Sequence, residues 1–130
     1  MSGSRPAVAA ALALAALTAC SRAPAGPPAA PVVDGPDAKA LVEAGARLVD
    51  VRTPQEFAAG HAPGAINVPY DEIARRAPGE LPDRDAAIVL YCRTGRRSAI
   101  AAKALRELGY TRLHDLRRAD AWPGPLESTR

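Results

Sequence analysis

The chain predicts an α/β domain with a central, mostly parallel sheet flanked by helices. Short, β-branched apolar runs at 47–51, 65–69, 87–91 and 112–116 alternate with segments carrying helix signals. That alternation marks parallel strands joined by crossover helices. Hydrophobic residues make up 48% of the chain but aromatic ones only 4%, so the core has to be built from Val, Ile, Leu and Ala. A length of 130 residues accommodates one modest domain. The net charge of +3 is small, and no Lys/Arg run with interleaved aromatics occurs, so nucleic acid is not an expected partner.

Before the first strand the chain has a different character. Arg5 precedes a short apolar run at 7–16, too short to span a bilayer, and the run ends in Leu17-Thr18-Ala19-Cys20. This resembles the lipobox of bacterial lipoproteins. The resemblance implies a signal peptide over 1–19, cleavage before Cys20 and lipidation of the Cys20 thiol. Ser21 rather than Asp follows the cysteine, which leans toward the outer membrane. Residues 20–36 read as a lipid-anchored, Pro/Ala-rich tether, since Pro24, Pro27, Pro28, Pro31 and Pro36 favour extended chain. The expected location is the periplasmic side of the cell envelope, with the membrane reached through the N-terminal lipid.

The domain is expected over 37–124, with Val32-Val33 as a possible short strand ahead of it. Asp37 opens a first helix that Gly45 stops, and 47–51 is a buried strand. Thr53, Pro54 and Glu56 form a capping-box signature for a helix through Ala59, stopped by Gly60. His61-Ala62-Pro63-Gly64 is turn chemistry before the strand at 65–69. A helix at 70–77 is expected to break at Pro78-Gly79. After the strand at 87–91 comes a loop, then a helix from Ser98 to Leu108, a stop at Gly109-Tyr110, and a last strand at 112–116. A short helical piece carries Trp122, and the tail frays after Pro123.

The chemistry concentrates where the strand at 87–91 meets the helix. In parallel sheets sites lie at the carboxyl ends of strands, and Cys92 stands at such an end. Arg93, Thr94, Gly95, Arg96, Arg97 and Ser98 follow it. The thiolate is the reactive form of cysteine, and arginines, loop amides and a helix N-terminus all favour it. The same features attract an anionic substrate. With Cys20 acylated, Cys92 has no disulfide partner. Two histidines far apart in sequence and one available thiol are too few for a metal site, and no cofactor is expected.

Leu48-Val49-Asp50-Val51-Arg52, Glu56-Phe57, Gly60-His61-Ala62-Pro63-Gly64-Ala65-Ile66-Asn67-Val68-Pro69, Cys92-Arg93-Thr94-Gly95-Arg96-Arg97-Ser98 and Gly109-Tyr110 stand in this order. Together they resemble a single-domain rhodanese, a sulfurtransferase. The resemblance implies that Cys92 accepts a sulfane sulfur from a donor such as thiosulfate. The resulting persulfide, cradled by residues 93–98, passes its sulfur to cyanide or a thiol, a protein sulfur acceptor included. Related phosphatases and arsenate reductases use Cys-x5-Arg, which would place arginine at position 98, where Ser98 stands. Cys92 to Arg97 is the shorter Cys-x4-Arg. The basic loop suits an anionic donor such as thiosulfate, whereas mercaptopyruvate-specific relatives have a largely uncharged loop.

Asp50, Arg52 and Glu56 are expected to form a buried or half-buried hydrogen-bond and ion-pair set that fixes the strand end beside the site. His61 is expected to bond within its turn, and His114 to lie at the surface. The family often has Gly-Gly shortly before a C-terminal tryptophan, but 116–122 reads Leu-Arg-Arg-Ala-Asp-Ala-Trp. The alternatives to an enzyme are a non-catalytic persulfide carrier and a thiol redox sensor.

Overall fold

The computed structural model describes residues 2–4 and 28–129. The lipobox, Cys20 and the start of the tether lie outside the described residues. In chain order the elements are α1 (Gly35–Glu43), β1 (Arg47–Asp50), α2 (Pro54–Ala59), β2 (Ile66–Asn67), α3 (Ile73–Glu80), β3 (Ile88–Cys92), α4 (Arg96–Glu107) and β4 (Leu113–Arg118), followed by a 3-10 turn, Ala119–Ala121. The four strands form one sheet in the order β2-β1-β3-β4, with every pair parallel. The α/β class and the parallel sheet are as the sequence predicts.

Both faces of the sheet are covered, so its central strand is apolar throughout: all five residues of β3 are buried. Alternation along β3 divides the core. Ile88, Leu90 and Cys92 pack with Ile73 and Ala77 of α3 and with Ala101, Ala102 and Leu105 of α4. Val89 and Tyr91 pack on the other side with Ala38, Leu48 and Leu116. Cys92 therefore leaves the core on the α4 side, at the carboxyl end of its strand. The chain steps from β1 out to β2 and then across β1 to β3. The strand order thus reverses between β1 and β3, where open parallel sheets place their ligands.

Several boundaries differ from expectation. Asp34, not Asp37, caps α1, its carboxylate accepting from the Asp37 amide at 2.9 Å. The third helix runs Ile73–Glu80 rather than 70–77 and passes through Pro78. Proline there deprives only the carbonyl of Ala74, an exposed residue that water can serve. The buried Tyr110 hydroxyl, near the carbonyls of Ala77 and Leu81, secures the end of the helix. β2 is only two residues long, α4 starts two residues before Ser98, and β4 extends to Arg118. Trp122 caps the 3-10 turn rather than lying within it.

Both ends of the domain are docked. Val32 pairs in parallel with Asp115, beside β4. The tail does not fray after Pro123: Glu127 and His61 exchange two backbone hydrogen bonds of 2.8 Å, and the Thr129 amide donates to Ala58 at 3.0 Å. These pairings lie more than sixty residues apart in sequence, so no local pattern signals them.

Candidate active site

The turn after β3 is built by Gly95. Its φ of +96° is left-handed, which glycine adopts freely. This conformation turns the Gly95 amide back on the strand end, where it donates to Cys92 Sγ at 3.0 Å. The Ser98 hydroxyl, in the first turn of α4, lies 3.6 Å from Sγ and donates to the Gly95 carbonyl at 3.1 Å. The Arg117 carbonyl, 3.3 Å from Sγ, is the acceptor for the resting thiol proton.

These contacts set the acidity of Cys92. Burial alone pushes the thiol up, since Cys92 has no exposed surface. The amide and hydroxyl of Ser98 and the amides of Gly95 and Thr94 outweigh it and hold the thiol below its ordinary value. Of the arginines, loop amides and helix N-terminus that the sequence offers for this task, the amides take the leading part, joined by the serine hydroxyl. A dense set of donors around one sulfur can hold a thiolate.

The three loop arginines separate. Arg97 turns sideways: its guanidinium makes a bidentate pair with Glu56, at 2.7 and 2.9 Å. That pair, together with Thr53, holds the Glu56 carboxyl down at about 2 despite partial burial. Arg93 and Arg96 are exposed, as is Thr94. Arg93 borders two clefts at the loop. One, of about 500 Å³, is completed by Thr94, Arg118, Ala119, Asp120 and Leu126. The other, of about 340 Å³, lies among Arg52, Glu56, Ala59 and Gly60. Arg52, Arg97 and Arg118 are each paired, with Asp50, Glu56 and Asp120. Arg93 is exposed and has no carboxylate partner among the described residues.

The expected Asp50–Arg52–Glu56 set is split. Arg52 binds the fully buried Asp50 carboxylate through Nε and Nη2 and reaches the Gly60 carbonyl at 2.6 Å. Glu56 instead caps α2 and holds Arg97. The capping box is as the sequence predicts. His61 bonds within its turn, Nδ1–H donating to the Phe57 carbonyl at 2.8 Å, and its ring stacks on Phe57. His114 is half-buried rather than fully at the surface. Among the described residues no group of three or more His, Cys, Asp or Glu is placed to hold a metal ion.

Two residues that the sequence pattern does not single out, Asp115 and Arg117, also stand at the site. The buried Asp115 carboxylate accepts from the Arg117 amide at 2.8 Å. Arg117 has φ +71°, the only left-handed non-glycine among the described residues. It sits where the pairing of β3 with β4 slips by one residue: Leu90 faces Asp115 and Tyr91 faces Arg117. Its side chain lies against Gly95, where an added Cβ would come within 2.8 Å of Nε. The missing Gly-Gly before Trp122 is the available signal: the left-handed residue at this bulge in β4 is here an arginine.

Comparison with known proteins agrees with this geometry. Residues 35–119 match the family model described as a rhodanese-like domain. The thiosulfate sulfurtransferase PspE of Escherichia coli is 37% identical over 67 residues, spanning 52% of this chain and 64% of that protein. Human thiosulfate:glutathione sulfurtransferase is 37% identical over 95 residues, spanning 63% of this chain and 83% of that protein. Among solved structures, an E. coli rhodanese with anions superposes with a TM-score of 0.60 at 32% identity, covering 63% of this chain and 96% of that one. The human single-domain sulfurtransferase TSTD1 gives 0.60 at 35%, covering 72% and 92%. With its parallel sheet, its cysteine loop at the β1/β3 reversal and a family match over most of its described residues, this chain belongs to the rhodanese-like family.

Proposed function

We propose that the chain is a thiosulfate sulfurtransferase that works through a persulfide on Cys92. The observation that carries this reading is the cradle itself: a buried thiol held below its ordinary pKa by the Ser98, Gly95 and Thr94 amides and the Ser98 hydroxyl. The Cys92 thiolate attacks the outer sulfur of thiosulfate. A new S–S bond forms, the old one breaks, and sulfite leaves with its electron pair. Cyanide or a thiolate then attacks the terminal sulfur and releases thiocyanate or a new persulfide, regenerating the thiolate. Charge and atoms balance at both steps with no outside oxidant. Arg93, unpaired at the mouth, meets the sulfonate end of the donor and the departing sulfite.

Thiocyanate formation from thiosulfate and cyanide tests this. The protein is expected to turn over and Cys92→Ser to give only background. Equal rates for the two proteins would end the enzymatic reading. A persulfide carrier is the second reading, favoured by the complete burial of Cys92. It predicts one added sulfur on Cys92 by mass spectrometry after thiosulfate treatment, with slow turnover.

We also propose that the domain (37–124 in the sequence reading) works at the bacterial cell envelope, exported by residues 1–19 and anchored through lipid on Cys20. The support is the apolar run ending in Leu17-Thr18-Ala19-Cys20 and the proline-rich stretch after it. Cys20→Ala is expected to shift the protein from the membrane to the soluble fraction.

A further inference from the structure

The chain beyond Ala119 lies outside the residues that match the family model, yet it returns to the site. Gly124, with φ +140°, permits the reversal after Pro123. Glu127 then pairs with His61 through two 2.8 Å backbone bonds, and Thr129 bonds to Ala58. His61 is itself immobilised by its bond to Phe57 and its stack on that ring. Just ahead of these ties Leu126 sits over Gly60, its Cβ 3.7 Å from where a Gly60 Cβ would stand. Gly60 is in turn held by Arg52. Leu126 remains 41% exposed, and the surface it exposes lines the cleft that Arg93 and Thr94 border from the loop side.

We propose that residues 124–129 form a fixed wall of the active-site entrance and that Leu126 sets a size limit on the sulfur acceptor. This rests on the sulfurtransferase reading above. The wall is held on its C-terminal side, where Glu127 and Thr129 pair with the backbone of His61 and Ala58, so a large acceptor cannot displace it without breaking hydrogen bonds. Cyanide, of two atoms, passes between Leu126 and Arg93. A tripeptide thiol such as glutathione has to fit its bulk into the same gap, and loses binding where it meets the leucine side chain.

The test compares the kcat/KM values for glutathione and cyanide, with thiosulfate as donor, in the unaltered chain, Leu126→Ala and Leu126→Trp. The glutathione-to-cyanide ratio is expected to rise about tenfold in the alanine variant, the scale of steric discrimination by a few carbons in a pocket, and to fall in the tryptophan variant. A loss of folding alone would move both variants the same way. A ratio that stays put, or moves in one direction for both, overturns the wall. A second measurement is independent of sulfur transfer: alkylation of the Cys92 peptide by iodoacetamide and by a bulky maleimide, read by mass spectrometry. The maleimide-to-iodoacetamide rate ratio is expected to follow the same order, Ala above Leu above Trp, and a flat ratio overturns the proposal. If the unaltered chain transfers sulfur to neither acceptor, the sulfurtransferase reading fails and the alkylation ratios alone decide the wall.

Discussion

The Ser98 hydroxyl donates to the Gly95 carbonyl at 3.1 Å and stands 3.6 Å from Cys92 Sγ. In the thiol form it serves the carbonyl. When the thiolate forms, a hydrogen bond to the charged sulfur is the stronger one. Ser98→Ala removes one of the groups that hold the thiol down while leaving the Gly95 and Thr94 amides in place. Removing a donor that favours the anion raises the pKa, so the pH profile of Cys92 alkylation is expected to move to higher pH. The rate at pH 7 should fall about tenfold, the effect of losing one charge-assisted bond worth about 1.5 kcal/mol. Arg96→Ala, whose side chain is exposed, should move the profile less. Glu56 gives a prediction about stability. Its carboxyl sits at about 2 in the folded chain against an ordinary 4.5, so its contribution is fully present above about pH 4.5 and is lost as pH falls toward 2. Glu56→Gln leaves the Arg97 guanidinium half-buried without its bidentate partner. It should cost about 1 kcal/mol in urea unfolding at pH 7 and progressively less toward pH 2.

At the scale of elements, β4 stores strain beside the cysteine. A left-handed conformation costs a non-glycine residue about 1–2 kcal/mol, and glycine returns about half of that through the greater freedom of its unfolded chain. Arg117→Gly is therefore expected to stabilise the domain by about 0.5–1 kcal/mol in urea unfolding, and a loss of stability would mean that the Arg117 side chain contributes more against Gly95 than its backbone costs. The same comparison shows what was legible in the sequence. The β3–loop–α4 unit could be read directly because everything it needs is contiguous: a β-branched run, a glycine at the turn, a serine in the first helical turn. The α2 capping box was readable for the same reason. The partner of Arg97 was not, because Glu56 is 41 residues away and only the parallel pairing of β1 with β3 brings α2 beside the loop. Pro78 misled because helix breaking was judged from the residue alone, whereas the exposed side of α3 tolerates one unserved carbonyl and Tyr110 closes its end.

For the whole molecule, the open question is where the folding unit begins. The sequence points to residue 37, but the chain is engaged with the sheet earlier. The Asp115 amide donates to the Pro31 carbonyl at 2.8 Å and the Val33 amide donates to the Asp115 carbonyl at 3.0 Å, so this segment covers the outer edge of β4. Ala30 is buried in the core shared by α3 and α4, and the Arg106 guanidinium clamps the Ala29 carbonyl at 2.6 and 3.1 Å. Asp115 links this edge to the site, since its carboxylate holds the Arg117 amide and the Arg117 carbonyl faces Sγ. A chain starting at Asp34 loses two backbone hydrogen bonds at about 1 kcal/mol each, and one charged bond of about 1.5 kcal/mol. It also leaves an edge strand uncovered, a template for pairing with other chains. Such a chain is expected to unfold in urea with about 3.5 kcal/mol less stability than one starting at Pro28, and to self-associate as its concentration rises. Equal midpoints for the two, with both monomeric in sedimentation, would place the start of the folding unit at α1 and make the edge pairing of residues 31–33 incidental to the fold.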